Sequence, residues 1–435
     1  MGILIKHGKL IDPAQNLAGL YDIYIEDGKV AALVADGGHA PAGFVQTAEI
    51  DARGLVIAPG LVDLAVRLRE PGYEYKATLE SEMQAAVQGG VTSLVCLPDT
   101  DPVLDEPGLV EMLKYRAGNL HQARVYPLGA LTVGLKGQAL TEMAELTEAG
   151  CIGFSQAEVP VTDTGVLLGA LRYAATHDYT VWLRPQDAFI GRNGVAHAGP
   201  YGSRMGLTGV PVIAETIALH TIFELMRTTG VRVHLCRLSS AAGLELVREA
   251  RRSGLRVSCD VGVHHVHLMD TDIGFFDPNA RLTPPLRSQR DRDAIRAALL
   301  DGTIDAICSD HTPVDNDEKA LPFGEASPGA TGLELLLSLT LKWAQESGVE
   351  GDAALLRAID KIAPQAARVA GIAGGALRVG DSADLCLFDP DARWTVRAKE
   401  LASQGKHTPF IGYELPGRVM ATVIGGQLAW QREHA

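Results

Sequence analysis

Eight short apolar segments between residues 56 and 375 constrain the fold of this chain more than any other feature. Stretches with helical periodicity separate them, such as residues 78–90, where Thr78 and Ser81 mark a helix start and two glycines mark its end. This alternation predicts βα units on a parallel sheet, and eight strands close a (β/α)8 barrel of about 250 residues. The segments begin at Leu61, Thr92, Ala123, Cys151, Thr180, Arg232, Arg256 and Asp305.

The two chain ends follow a different pattern. In residues 1–55 apolar and polar residues alternate over short stretches, and the same pattern returns after Ala376. Alternation with a period of two is typical of half-buried strands. We therefore predict an α/β protein with two domains: a small β-sandwich built from residues 1–55 together with 376–435, and a TIM-like barrel over residues 56–375.

Composition excludes several functions. A net charge of −14 argues against a nucleic-acid surface, which is usually basic. No apolar run approaches the roughly 20 residues of a membrane span, and the first residues lack a secretory signal pattern, so we expect no membrane association and a cytoplasmic location. The six cysteines form no CxxC pair, which argues against a structural zinc site and a disulfide framework.

Polar residues at the ends of the predicted strands are the candidates for function, because the chemistry of such barrels gathers at the carboxyl ends of the strands. Fourteen positions qualify, and four of them are arginines. In chain order they are Asp63, Arg67, Arg69, Asp99, Gln156, Arg184, Gln186, Asp187, Arg237, Ser239, His264, His265, Asp310 and His311.

Several motifs along the chain resemble those of the dihydroorotases of the amidohydrolase superfamily. They are, in the family's order, "APGLVDLAVRLREPG", "GGVTSLVCLPDTDPV", "GLTGVPVIAETIAL", "PPLR", "SDHTPV", "GATGLELLL" and "TPFIGYELPGRVMATVIGGQ". The resemblance implies the barrel and sandwich fold. It also implies a zinc site formed by an HxH pair on the first strand, a carboxylate near the fourth strand, and histidines on the fifth and sixth. An aspartate on the eighth strand completes the set and acts as general base.

This chain departs from the family at nearly every one of those ligand positions. Only Asp310 remains, and we predict that it is vestigial. A guanidinium has no lone pair to offer a metal and repels it by charge, so we predict no bound metal and no catalysis, because no metal-activated water is available. The degenerate positions are Ala65 and Arg67 on the first strand, Gln156, Arg184 and Arg237.

The substrate positions are also altered. By resemblance, Arg69 in "REPG" stands where the family holds the substrate carboxylate, but the adjoining turn has Asp99 in place of an asparagine, and Val314 replaces a histidine. We interpret Arg69 and Asp99 as vestigial, and expect Arg69 to pair with Glu70 or Asp63. We also predict that Arg67, Arg184 or Arg237 pairs with Asp310, because a buried carboxylate needs compensation.

Two other arrangements have a structural and a functional interpretation. The histidines in "VGVHHVHLMD" (His264, His265 and His267) could bind a metal, but packing is the favoured interpretation. Cys308 and His311 could form a nucleophilic pair, but neighbours on a strand point to opposite faces, which favours a purely structural role.

Two functions from different classes stay open. The resemblance extends to non-catalytic dihydroorotase-like subunits of pyrimidine biosynthesis that assemble with aspartate carbamoyltransferase, so we predict such a hetero-oligomer, or else a homodimer. The alternative is an active dihydroorotase, or another amidohydrolase for cyclic amides, with an atypical site.

Overall fold

The computed structural model describes residues 2–35 and 38–433. Its strands are β1 (Gly2–Asp12), β2 (Leu17–Glu26), β3 (Lys29–Ala35), β4 (Gln46–Asp51), β5 (Val56–Pro59), β6 (Leu61–Val66), β7 (Val91–Cys96), β8 (Arg124–Pro127), β9 (Gly129–Ala130), β10 (Phe154–Ser155), β11 (Thr180–Leu183), β12 (Ala196–His197), β13 (Gly209–Val210), β14 (Arg232–Leu235), β15 (Val257–Gly262), β16 (Ala306–Cys308), β17 (Leu385–Thr395), β18 (Glu414–Ile424) and β19 (Gln427–Gln431).

The helices lie mainly between the barrel strands. They are α1 (Leu79–Gln88), α2 (Pro107–Asn119), α3 (Met143–Ala149), α4 (Thr164–Thr176), α5 (Pro200–Arg204), α6 (Ile213–Thr229), α7 (Ala241–Arg252), α8 (Val263–His267), α9 (Gln289–Leu300), α10 (Asn316–Lys319), α11 (Leu336–Gln345), α12 (Gly351–Ile362) and α13 (Pro364–Ala370). Within the described ranges, none of them is long and apolar enough to cross a membrane.

The predicted barrel is confirmed. Strands β6, β7 and β8 pair in parallel, as do β9, β10, β11, β14, β15 and β16. Only Leu128 separates β8 from β9, so the third predicted segment forms two short strands in succession. A parallel bridge between Val66 and His311 joins the first strand to the segment after the eighth. Every predicted segment therefore contributes to the closed barrel.

The chain ends combine into one eight-stranded sheet, in the order β19-β18-β17-β5-β1-β2-β3 with β4 also paired to β1. Side chains from both ends share a core, including Ile5, Ile23, Leu385 and Val423. The sheet includes β5, which the predicted boundary at residue 56 assigns to the barrel. The buried Asp12 carboxylate, which accepts a hydrogen bond from the Leu377 amide at 2.8 Å, ties the two ends together.

Unusual backbone angles occur where the barrel strands end. Arg69, Ala157, Arg237 and Asp310 all have a left-handed conformation, with φ of 64°, 49°, 54° and 50°. Residues other than glycine seldom adopt it, and it costs of order 1 kcal/mol or more unless the surroundings hold it. All four lie at the carboxyl ends of strands, which is the end of the barrel where the candidate residues meet.

Candidate functional site

Glu158 joins the three arginines that we predicted at family ligand positions. Its Oε1 lies 2.8 Å from Arg67 Nη2 and 2.5 Å from Arg237 Nη1. Its Oε2 forms an ion pair with Arg184 Nε, and the Glu158 carbonyl accepts a hydrogen bond from Arg184 Nη2 at 3.2 Å. One carboxylate therefore binds guanidiniums that follow three different strands.

Asp310 is part of the same network, as predicted. Arg237 Nη1 donates to Asp310 Oδ1 at 3.0 Å, and Arg67 Nη1 lies 4.0 Å from the same oxygen. Burial raises the pKa of Asp310, and the positive charges of Arg237 and Arg67 oppose that shift. The predicted pairing of Asp310 with at least one arginine is confirmed.

Asp99 completes the charge balance. Its Oδ2 accepts a hydrogen bond from Arg67 Nε at 2.7 Å, and Arg67 Nη1 also donates to Thr312 Oγ1 at 2.9 Å. Three carboxylates thus compensate three guanidiniums. Burial opposes ionisation of Glu158, but the arginines, led by Arg184, outweigh it and hold its pKa well below the usual range. We call these six residues, Arg67, Asp99, Glu158, Arg184, Arg237 and Asp310, the arginine network.

Glu158 is the residue that sequence reasoning missed. Gln156, two positions earlier, is the residue that we predicted at the position of the family carboxylate, and in a regular strand the two side chains would share a face. Ala157 between them is left-handed, with φ of 49°. Three arginines with one retained carboxylate signalled that further anions were needed nearby, and Glu158 supplies one.

Gln156 and Ala65 lie outside the arginine network. Gln156 is buried, donates from Nε2 to the Leu135 carbonyl at 2.8 Å and accepts from Thr132 Oγ1 at 3.0 Å. Ala65 is buried, and its carbonyl accepts from the His311 amide at 3.0 Å. Both residues therefore serve the packing and hydrogen bonding of the barrel end.

The prediction that Arg69 pairs with Glu70 or Asp63 is wrong. Arg69 Nε donates to the Pro313 carbonyl at 2.9 Å, while Glu70 pairs with Arg116 and also accepts from the Leu79 amide at 2.8 Å. The backbone at Arg69 is left-handed (φ 64°), and the side chains of Arg69 and Glu70 therefore point in different directions. Burial, assisted by the charge of Arg67, lowers the pKa of Arg69 to about 10.

Asp63, the other expected partner of Arg69, is directed toward backbone amides. Its Oδ1 accepts from the Ser309 amide at 3.0 Å and from the Ala65 amide at 3.3 Å. Burial raises the pKa of Asp63 to about 6. This carboxyl group therefore links the first strand to the eighth rather than binding a side-chain cation.

The histidines of α8 have separate structural partners. His265 Nε2 lies 3.1 Å from the Pro284 carbonyl and His267 Nε2 lies 2.9 Å from the Leu339 carbonyl. The His264 ring stacks on Phe410 with centroids 5.6 Å apart. Burial lowers the pKa of His264 to about 3 and of the other two to about 4. These separate contacts favour the packing interpretation over a shared metal site.

Cys308 and His311 also have separate partners. His311 Nε2 lies 2.5 Å from Glu82 Oε2, and its Nδ1 accepts from the Gly332 amide at 3.2 Å. The Cys308 thiol lies 3.7 Å from Asp260 Oδ1, and burial raises its pKa well above the usual value. Their different partners argue against a nucleophilic pair.

The residues that we predicted at the family ligand positions do not fit zinc. Zinc takes nitrogen, oxygen or sulfur donors with a free electron pair at about 2.0–2.3 Å, whereas three of these positions hold guanidiniums that already contact carboxylates. The retained Asp310 is itself bound to Arg237. The barrel mouth is thus organised around arginine–carboxylate pairs.

Comparison with solved structures defines the class of fold. The structure resembles L-hydantoinase from Arthrobacter aurescens with a TM-score of 0.87 and 23% sequence identity, over 100% of this chain and 97% of that one. D-hydantoinase from Thermus sp. gives a TM-score of 0.80 at 22% identity, over 99% of this chain and 97% of the other. These likenesses show that the chain shares the fold of these hydantoinases.

Sequence comparison then gives the family. Residues 54–242 match the family described as dihydro-orotase-like, and residues 209–429 match the amidohydrolase family. A dihydroorotase-like protein of Pseudomonas aeruginosa is 43% identical over 98% of this chain and 99% of its own length. A dihydroorotase of Geobacter metallireducens is 39% identical over 99% and 100%. This chain belongs to the dihydroorotase-like family of amidohydrolases.

Proposed function

We propose that this chain is a dihydroorotase-like protein that does not hydrolyse dihydroorotate, and that it acts as a structural subunit for aspartate carbamoyltransferase in pyrimidine biosynthesis. The charge-balanced arginine network carries the first part of this proposal. Arg67, Arg184 and Arg237 stand at ligand positions and contact Glu158. A metal entering there would have to displace paired, buried cations.

The loss of catalysis follows from the chemistry that the mouth can offer. Hydrolysis of a cyclic amide by this family's route needs a metal to lower the pKa of water and to polarise the carbonyl. Asp310, the position of the general base, is bound to Arg237 at 3.0 Å. Asp99 and Arg69 lie at the substrate positions, and Asp99 is bound to Arg67 at 2.7 Å. No group in the network is left to activate water.

The structural role is supported by the condition of the remaining molecule. The barrel strands, their helices and the end sheet are all formed around ordinary apolar cores. A protein that functions through its outer surface must keep its fold but not its ligands. That pattern fits a subunit that assembles with the enzyme acting before dihydroorotase.

Activity is tested on purified chain whose metal content has been measured. We expect no conversion of dihydroorotate or carbamoyl aspartate above the buffer rate with added zinc, while an active dihydroorotase in the same assay is the positive control. Arg67→His is expected to remain inactive, because Arg184 and Arg237 still occupy their positions. Zinc-dependent turnover by the unmodified chain would support the alternative of an active amidohydrolase with an atypical site.

Partnership is tested with the aspartate carbamoyltransferase of the same organism. We expect the two proteins to elute together as a large hetero-oligomer, with an interface above about 2,000 Å² in total, and the transferase to be less active or less stable alone. Separate elution at micromolar concentrations, together with a fully active and stable free transferase, would contradict the structural role.

A further inference from the structure

A second set of donor atoms lies inside the barrel, beside the arginine network but apart from the family ligand positions. His234 is on β14, Cys236 follows that strand two residues later, and Asp260 is on the neighbouring β15. One donor atom from each of the three lies within 4.8 Å of the other two. Among residues 2–35 and 38–433, this is the one group of three or more His, Cys, Asp or Glu side chains whose donor atoms lie this close together.

We propose that His234, Cys236 and Asp260 bind one thiophilic divalent cation, zinc or an ion of similar chemistry. An imidazole nitrogen, a thiolate and a carboxylate are the donor types that zinc takes, whereas magnesium and calcium prefer oxygen alone. With Cys236 and Asp260 ionised, a divalent ion makes the site neutral. Neutrality matters here because an unpaired charge in a buried place is costly.

The hydrogen bonds of His234 favour this role. Its Nδ1 lies 2.8 Å from Ser258 Oγ and its Nε2 lies 2.9 Å from Asp260 Oδ2. Metal-binding histidines commonly have their second nitrogen held by such a partner, which fixes the ring. When a cation binds Nε2, the ring proton resides on Nδ1 and is donated to Ser258, so the ring keeps its orientation.

The partial exposure of Cys236 gives a cation access to the site. Cys236 is the one cysteine of the six that is not fully buried. The Cys308 thiol lies 3.7 Å from Asp260 Oδ1 and is not one of the three proposed ligands. Asp260 Oδ1 also accepts from the Arg237 amide at 2.6 Å, which fixes the carboxylate and leaves Oδ2 to face His234.

The binding step balances without any redox change. The Cys236 thiol loses its proton to solvent as the sulfur–metal bond forms, and the His234 proton moves from Nε2 to Nδ1. Binding to the three ligands therefore releases one proton. Affinity should rise with pH, as expected wherever a thiol must ionise to bind a metal.

The test uses the full-length reduced chain and Co²⁺ as a spectroscopic probe, with zinc stoichiometry measured in parallel by elemental analysis. We expect one ion per chain and a thiolate-to-cobalt charge-transfer band. Cys236→Ser should abolish the band and lower Co²⁺ affinity by more than about 100-fold, while Ser258→Ala should keep the band and lower affinity about 10-fold or more. Cys151→Ser, at a buried thiol in the core around the barrel, is the matched control and should change neither.

The outcomes separate this site from the proposed function. Absence of any bound ion, or a band that persists in Cys236→Ser, overturns the site and leaves the proposed function intact. If the unmodified chain binds Co²⁺ without the charge-transfer band, and Asp310→Asn removes that binding, the ion lies in the barrel mouth. That result overturns both this site and the proposed absence of metal in the mouth. A band that Cys236→Ser removes and Asp310→Asn preserves supports the site.

Discussion

Glu158→Gln is the substitution that most directly tests the arginine network. It removes one of three negative charges and leaves the cations of Arg67, Arg184 and Arg237 under-compensated. Removing one partner of a buried ion pair costs about 3–5 kcal/mol. For 435 residues the unfolding entropy at the midpoint is about 0.9 kcal/mol/K, so Tm should fall by about 3–6 °C in scanning calorimetry.

Two controls make this prediction refutable. Glu224 also pairs with an arginine, Arg227, but its side chain is 73% exposed, so Glu224→Gln should cost less than about 1 kcal/mol. Adding Arg184→Met to Glu158→Gln restores the charge balance, and we expect a coupling of about 1–3 kcal/mol between the two substitutions. If Glu158→Gln matches the exposed control, or the double variant is simply additive, the network does not compensate charge as described.

Three further substitutions test other parts of the fold. Burial raises the pKa of Glu334 in the folded state to about 7, from an ordinary value of about 4.5. Its contribution to stability is therefore present below about pH 4.5 and lost as pH rises through 7, so Glu334→Gln should flatten the decline of Tm between pH 5 and 8. Asp12→Ala should cost about 1–3 kcal/mol in urea denaturation, because the Leu377 amide loses its acceptor. Phe154→Ala, at a fully buried ring, should cost about 3–5 kcal/mol by the same measurement.

The barrel could be predicted because strands buried on both faces leave short apolar runs that helices separate. Its finer divisions could not. Gly60 alone stands between β5 and β6, so the apolar run continues from the end sheet into the barrel and hides the boundary. The break at Leu128 likewise depends on neighbouring strands: β8 pairs with β7, whereas β9 pairs with β10.

The site was predictable at the positions that motifs align, and less so where the backbone turns sharply. The pairing of Asp310 followed from charge alone. The role of Glu158 and the partner of Arg69 could not be predicted from charge. Ala157 and Arg69 have left-handed backbone angles, and the sequence gives no sign of them because neither residue is a glycine. Such angles redirect neighbouring side chains, and their cost is met by contacts that form only in the folded protein.

The shared end sheet has a consequence for how the protein is made. Strand β5 pairs with β1 and with residues Leu385–Phe388 of β17, more than 300 residues later in the chain. At about 5–20 residues per second, the ribosome takes roughly 15–65 s to synthesise the intervening barrel. During that interval one edge of β5 has no partner, and an unpaired edge can pair with other nascent chains. We therefore expect the exposed edge of β5 to be a point of aggregation risk until β17 has been synthesised.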